Sequence, residues 1–191
     1  MKYGKEYYTT NNYGSYLDRA DRYKLLANET LNLLTSIGRS TDVVLDYGCA
    51  VGFLVDALMD EGIDAYGYDI SKWASKQARK LLGDSILSQP PSNEYDLVYY
   101  LDVLEHIESS ELEKLFETLK PETFVFRIPV CYREGGSFIL RVSEKDPTHI
   151  TRWTRYMWRQ FFIKYGYTVL PITLNTIYDT EGVFCGIGIK N

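Results

Sequence analysis

Two acids set beside a turn of small residues are the first pattern in the chain that could do chemistry. Val43-Val44-Leu45-Asp46-Tyr47-Gly48-Cys49-Ala50-Val51-Gly52 runs from an apolar strand through an acid into a glycine-bearing turn. Gly67-Tyr68-Asp69-Ile70 ends a second strand on another acid. Such a layout cradles an adenosine-bearing cofactor at the carboxyl edge of a parallel sheet. A dinucleotide would rest its pyrophosphate on Gly-x-Gly-x-x-Gly, but Ala50 and Phe53 stand at the second and third glycine positions. Asp46 would also repel a pyrophosphate. A carboxylate there suits a cofactor with a positive end, which Asp46 would help fix; the alternative is an acid that merely orders the turn. Gly48 and Gly52 allow close approach of the backbone, although Gly52 could instead serve helix–strand packing. The two oxygens of Asp69 match the cis-diol of a ribose, or cap the next helix. Ile70 would press on an adenine face, or belong to the core.

A second constellation lies downstream. Asp102, Glu105 and His106 are spaced i, i+3 and i+4 and share one face if the turn is helical. The chain has only two histidines, and the other is His149, in Asp146-Pro147-Thr148-His149-Ile150. Two carboxylates and two imidazoles can hold Mg²⁺ or Mn²⁺, or form a hydrogen-bonded structural cluster. His149 is also a candidate general base, because the reference imidazole pKa of about 6.5 suits proton removal near neutrality; it could equally pin its loop. His106 is the second candidate catalytic histidine. Residues 127–164 carry a net +5, leaving −10 elsewhere. Arg127, Arg133, Arg141, Arg152 and Arg155 could face an anionic acceptor there, or form a solvated surface.

The motifs resemble those of the class I S-adenosylmethionine-dependent methyltransferases. Leu45-Asp46-Tyr47-Gly48-Cys49-Ala50-Val51-Gly52 is similar to their motif I. Tyr95-Asp96-Leu97-Val98-Tyr99-Tyr100-Leu101-Asp102-Val103-Leu104-Glu105-His106-Ile107 is similar to their fourth-strand block. Leu119-Lys120-Pro121 before Phe124-Val125-Phe126 matches the approach to the fifth strand. The resemblance covers residues 40–190, with Ala50 departing from a common glycine. It implies S-adenosylmethionine as cofactor, whose ammonium and sulfonium agree with the charge argument. The implied cofactor residues are Asp46, Gly48, Cys49, Ala50, Gly52, Phe53, Asp69, Ile70, Leu101 and Asp102. No residue is assigned to the adenine amino group, since Asp84 comes early and Ser88-Gln89 stands near the expected place. The implied activity is methyl transfer to a small-molecule acceptor at a hydroxyl or carboxyl oxygen, with the 146–150 segment bordering the acceptor. Asp102, Glu105, His106 and His149 also resemble the metal site of the small-RNA 2′-O-methyltransferases and of some quinone O-methyltransferases. That alternative is metal-assisted methylation of an RNA ribose. Asp-Val-Leu-Glu-His-Ile is common in metal-free members too, and no metal is expected. A further alternative is a non-catalytic cofactor-binding partner subunit, against which the intact Asp46, Gly48, Gly52 and Asp69 argue.

The positioning elements alternate. Residues 15–38 read as a helix with Tyr16, Leu17, Ala20, Tyr23, Leu26, Leu33, Leu34 and Ile37 as its apolar stripe. Strands follow at 43–47, 65–69, 85–87, 96–101 and 123–128, and a closing pair at 167–172 and 183–189. Helices are expected at 53–60, after the Ser71 cap to Gly83, after a Ser110/Glu113 capping box, and over 151–165 with Tyr156, Met157, Phe161 and Phe162 inward. This is an α/β doubly wound, Rossmann-like arrangement. The resemblance implies seven strands, mostly parallel with the last antiparallel, helices on both faces. The 191 residues, 45% of them apolar, suit one domain, with residues 1–40 as a helical lid or arm. Six of the 17 tyrosines, Tyr3, Tyr7, Tyr8, Tyr13, Tyr16 and Tyr23, gather in that arm, which would contact a ligand or simply pack on the core. The net charge of −5 argues against general nucleic-acid affinity. No apolar stretch suits a membrane span or signal peptide, and Cys49, Cys131 and Cys185 have no metal spacing. A cytosolic setting is the expectation.

Overall fold

A computed structural model describes residues 3–10, 16–92 and 94–191; Tyr13 of the tyrosine group and Ser15 of the expected first helix lie outside them. The chain divides into two compact units, Met1–Pro91 with Tyr95–Val98, and Ser92–Glu94 with Tyr99–Asn191.

In the first unit, α1 (Lys5–Thr9) and a 3-10 turn (Tyr16–Asp18) precede α2 (Ala20–Ser36). The single helix expected over 15–38 is therefore a turn and a shorter helix. Its buried stripe is Leu26, Ala27, Thr30 and Leu34, while Leu17 and Ile37 are exposed. Thr30 satisfies its hydroxyl on the Leu26 carbonyl, so a polar residue sits in the stripe without an unmet donor. Then come β1 (Val43–Tyr47), α3 (Phe53–Asp60), β2 (Asp64–Tyr68) and α4 (Lys72–Leu82). β1 and β2 run parallel with Asp46 opposite Gly67. The Asp96 carboxylate accepts from the Val43 amide at 2.9 Å and holds the start of β1. Val44, Leu45, Leu54, Val55 and Leu58 are fully buried around this pair.

β3 (Leu97–Leu101) spans the division between the units. In the second unit follow a 3-10 turn (Leu104–His106), α5 (Ser109–Thr118), β4 (Thr123–Pro129), α6 (Arg141–Glu144), α7 (Arg155–Lys164), β5 (Tyr167–Pro171) and β6 (Val183–Lys190). β6 runs antiparallel to both β4 and β5. Gly188 lies opposite Phe124 and Gly186 opposite Phe126. A Cβ at Gly188 would sit 2.1 Å from the Phe124 ring, so this strand is glycine-bearing to seat an aromatic core. Phe116, Phe124, Phe126, Trp158, Phe162, Tyr167 and Phe184 fill it, each worth about 1.5–3 kcal/mol or more on burial.

Among the described residues the sheet has six strands in the order β2-β1-β3-β4-β6-β5, not seven. The expected strand at 85–87 is a single bridge, Gly67 to Ile86. Arg79 explains the loss: its guanidinium takes the carbonyls of Ile86 and Leu87, which a strand would have given to a neighbour. Two helix expectations also change. α5 starts at Ser109 with Glu108 as its cap residue and no side-chain cap bond, so Ser110 and Glu113 form no capping box. α7 starts only after Thr154, whose hydroxyl accepts from the Met157 amide. The carbonyls of Arg152 and Trp153 are already taken by the amides of Gly135 and Cys131, which keeps that segment extended. Tyr156 is exposed rather than inward, and Trp158 takes the buried position. No helix of the described residues is long and apolar enough to cross a membrane. All three cysteines are free and buried.

Candidate functional site

The turn after β1 is built from left-handed backbone. Gly48, Ala50 and Gly52 have φ of +92°, +48° and +89°. Glycine adopts this at little cost, whereas Ala50 bears about 1 kcal/mol or more of strain. Its amide donates to Asp69 Oδ2 at 2.8 Å, which holds the strained residue in place. The amides of Gly48 and Cys49 both donate to the Tyr68 carbonyl, at 2.7 and 3.0 Å, and lock the turn to the end of β2. Gly52 has a second reason to lack a side chain: a Cβ there would lie 2.7 Å from Leu82 and 3.2 Å from Ala78 of α4. The close packing that Gly52 permits is therefore against a helix, α4, and not against a strand.

Asp69 also receives the Ser71 amide on Oδ1, at 2.7 Å. One carboxylate thus organises the β1 turn and the start of α4, and each oxygen keeps a lone pair beyond these bonds. Burial pushes its pKa up, and the two amides pull it back. Asp46 differs. It is 5% exposed, and burial first, then the neighbouring Asp69, push its pKa up to about 8, with no donor or cation among the described residues opposing them. An acid so placed lacks the positive partner that a buried carboxylate needs. The Cys49 thiol is buried beside it and pushed up by burial and by Asp46, which makes it unreactive. Ile70 is 73% exposed, so it is not core.

The tyrosine-rich arm lies over this turn. Tyr8 and Tyr16 are buried with Ala50, Val51 and Ala74, and Tyr7, Tyr23, Phe53 and Trp73 pack around them. Tyr16 stacks on Phe53 at 5.9 Å and Tyr8 on Trp73 at 5.4 Å. The Tyr16 hydroxyl is raised well above its ordinary pKa, by burial first and also by Tyr23 and Asp46. Ser71 closes the arm onto α4: its Oγ accepts from the Ala74 amide and donates to the Tyr3 carbonyl at 2.6 Å. The sequence marked Ser71 as a cap; its second role toward the arm depends on a contact 68 residues apart.

In the second unit, Glu105, His106 and His149 place one ligand atom each within 4.8 Å of one another. They meet because the Glu105 carbonyl accepts the amides of Ile150 and Thr151, at 2.9 and 3.0 Å. The imidazole rings of His106 and His149 lie 4.5 Å apart. His106 Nδ1 faces the Thr148 carbonyl and hydroxyl at 3.1 and 2.9 Å, and Asp146 accepts from the Thr148 amide at 2.8 Å. Both oxygens of Glu105 and both ring nitrogens of His149 are buried without a hydrogen-bond partner among the described residues. His149 Nε2 is 3.8 Å from both Glu105 and Asp146. Burial, then Asp102, raises the Glu105 pKa well above the carboxylate range. Burial, then His149, lowers that of His106 to about 4. Burial also lowers His149, against the pull of Asp146. Burial thus disfavours the charged form of all three.

Asp102 does not join them. It ends β3 in a left-handed conformation, φ +54°, and pairs with Arg127 of β4. The expected shared face fails because residues 104–106 form a 3-10 turn that starts beyond Asp102. Of the five arginines considered for an anionic acceptor, Arg127 pairs with Asp102, Arg152 with Glu144 and Arg155 with Asp179. Arg133 and Arg141 are exposed.

The family described as a methyltransferase domain matches residues 18–172. No curated protein matches by sequence. Among solved structures, magnesium protoporphyrin IX methyltransferase from Synechocystis, crystallised with S-adenosylmethionine, is 18% identical with a TM-score of 0.61, over 89% of this chain and 80% of that one. The methyltransferase domain of the bacterial protein CtHen1 is 21% identical with a TM-score of 0.59, over 88% and 99%. An S-adenosylmethionine-dependent methyltransferase from Clostridium acetobutylicum is 14% identical with a TM-score of 0.66, over 94% and 99%. At these identities the likeness is one of fold.

Proposed function

The chain belongs to the methyltransferase-domain family, and from that premise we propose that it moves the methyl group of S-adenosylmethionine to a hydroxyl or carboxyl oxygen of a small-molecule acceptor. The carrying observation is Asp46, an acid buried at the turn that follows β1 with no opposing charge among the described residues. The cofactor's ammonium suits it, the ribose diol suits the remaining lone pairs of Asp69, and the exposed Ile70 is free to cover adenine. The structural neighbour crystallised with S-adenosylmethionine supports the same choice. The cofactor supplies an electrophilic methyl carbon, and the chain supplies alignment and a water-poor site. Tyr16 and Phe53, packed over the turn, would exclude water.

The pairing of Arg127, Arg152 and Arg155 with acids interrupts the basic track that a polyanion would need. This favours a small acceptor over RNA. His149, uncharged at neutral pH, would take the acceptor's proton. Titration calorimetry should find one S-adenosylmethionine or S-adenosylhomocysteine per chain and no NAD. Binding of NAD alone would sink the cofactor reading. A radiolabelled-cofactor screen would then identify the acceptor, and His149→Ala should lower turnover more than cofactor affinity.

A second reading is favoured by the unpartnered Glu105 and His149 atoms. Glu105, His106 and His149 fit a divalent ion by donor type and spacing. Such an ion would supply a Lewis acid for the acceptor oxygen, and Glu105 would have to release its proton to bind it. Stoichiometric metal by elemental analysis, with activity lost to EDTA and restored by Mg²⁺ or Mn²⁺, selects this reading. Full activity in EDTA rejects it.

A further inference from the structure

Asp46 and Asp69 stand at the ends of paired strands, but the chain treats them unequally. Asp69 receives two backbone amides, one on each oxygen. Bonds of this kind hold a carboxylate in its ionised form. Asp46, 5% exposed and opposite Gly67 in the strand pair, receives no side-chain donor among the described residues. The groups facing it are Asp69 from the end of β2, the Tyr16 phenol from the 3-10 turn with Tyr23 behind it, and the Cys49 thiol of its own turn. Each is anionic or neutral. Arg79, whose charge reaches the Cys49 thiol, is committed to the carbonyls of Ile86 and Leu87. Arg19 stands 5.9 Å from the centroid of the Tyr16 ring, on the phenol and not on the acid. Among the described residues no cation acts on a second negative charge at Asp46, so one proton is shared unequally and rests on Asp46.

We propose that Asp46 carries a proton in the unliganded chain and loses it to solvent when the ammonium group of S-adenosylmethionine binds, so that cofactor binding exchanges one cation for another. This rests on the cofactor reading above. The balance is simple: the carboxylic O–H bond breaks, the proton goes to buffer, and the carboxylate so formed receives N–H donors from the ligand. The adenosine half of the ligand takes no part in the exchange. The position of the Asp46 pKa, about 8, puts the exchange within the range where enzymes are assayed.

Calorimetry of the full chain at pH 6.5, in two buffers of different ionisation enthalpy, counts the protons. That pH keeps the ligand's α-amino group charged, since its reference pKa is about 7.7–8.0. The expected count is about one proton released per S-adenosylmethionine or S-adenosylhomocysteine bound, with affinity rising about tenfold from pH 5.5 to 6.5. 5′-Methylthioadenosine, which lacks the amino-acid portion, should bind with no proton released. Asp46→Asn should abolish the release and weaken S-adenosylmethionine about a hundredfold more than methylthioadenosine. Tight binding of S-adenosylmethionine with no proton change at pH 6.5 overturns the exchange and leaves the cofactor reading intact. Failure of all three ligands to bind the wild-type chain overturns both.

Discussion

The turn after β1 and the region of Glu105 each bury a carboxyl group, and the surroundings of each acid decide what the region can hold. At the turn the neighbours are Asp69, a phenol and a thiol. Among the described residues no cation acts on Asp46, so the region can accept positive charge there. Around Glu105 the neighbours are two imidazoles whose charged forms burial disfavours, with Asp146 and the Asp102–Arg127 pair beside them. That region offers nitrogen and oxygen lone pairs. The first suits an organic cation such as an ammonium. The second suits proton removal, or a small hard ion. The same physical cause, loss of hydration, raises the acids and lowers the bases, so the sign of a shift reports the residue type and not the function. What distinguishes the regions is whether groups that shift in opposite directions stand side by side.

This difference can be broken first through pH and stability, where the largest effects are expected. Asp46 has a raised pKa in the folded chain, so its contribution is complete below the unfolded carboxylate value of about 4 and is lost as pH rises to about 8. His106 has a lowered pKa. Its contribution is complete above the unfolded value of about 6.5 and is lost as pH falls to about 4. Between about pH 4 and 6.5 the two contributions run in opposite directions and cancel, so together these groups leave the unliganded chain level there and lower its melting temperature from about pH 6.5 to 8. Asp46→Asn should remove the loss above pH 6.5 and expose a rise from pH 4 to 6.5, whereas His106→Gln should expose a fall over the whole span from pH 4 to 8, each by up to about 1.4 kcal/mol per pH unit. If the two variants exchange these slopes, the two regions have been assigned the wrong charges. If neither changes the profile, burial does not govern them.

Asp69 sharpens the contrast from the other direction, with a smaller effect. Asp69→Ala should weaken S-adenosylmethionine by about 1–3 kcal/mol through loss of a charged acceptor. It also frees the Ala50 and Ser71 amides. The strained Ala50 would then have less to hold it, so part of the loss should persist with methylthioadenosine, which keeps the ribose. Asp69→Asn retains one acceptor oxygen and should cost less. An unchanged dissociation constant in the alanine variant would place Asp69 outside the ligand's reach.

Features settled by neighbouring residues were legible in the sequence. β1 over Val43–Tyr47 and α3 over Phe53–Asp60 match their expected bounds, because an apolar run and a flanking glycine define each. The acids at the ends of β1 and β2 were equally plain. Features settled by remote partners were not. Arg79 dissolves a strand by taking two carbonyls. Arg127, 25 residues from Asp102, removes that acid from the histidines. His149 meets His106 only because the Glu105 carbonyl holds residues 150 and 151. The spacing of Asp102, Glu105 and His106 suggested one face of a helix, and a 3-10 turn rotates that face away from Asp102. Basic residues counted along the sequence gave a +5 segment; their acid partners, Glu144 and Asp179 among them, appear only in three dimensions.

The smallest effect concerns the arm, and it tests whether the first region is closed by its own aromatic residues. Tyr3 to Thr9 are joined to α4 by the Ser71–Tyr3 hydrogen bond and the Tyr8–Trp73 stack. Tyr8 is also buried against Tyr16, and one aromatic pair is worth about 0.5–1.5 kcal/mol beyond its buried area. A helix of five residues opens at lower free energy than the central strands and exchanges its amides sooner. If the arm is a lid, a ligand beneath Tyr16 and Phe53 adds contacts that exist only when it is shut. Amide exchange in peptides covering residues 3–10 and 16–23 should then slow severalfold with S-adenosylhomocysteine, while α5 and α7 in the second unit remain unchanged. Trp73→Ala should remove most of that protection and raise the ligand's dissociation rate more than it lowers the association rate. Equal exchange with and without ligand would leave the tyrosines as packing for the Ala50–Val51 turn and nothing more.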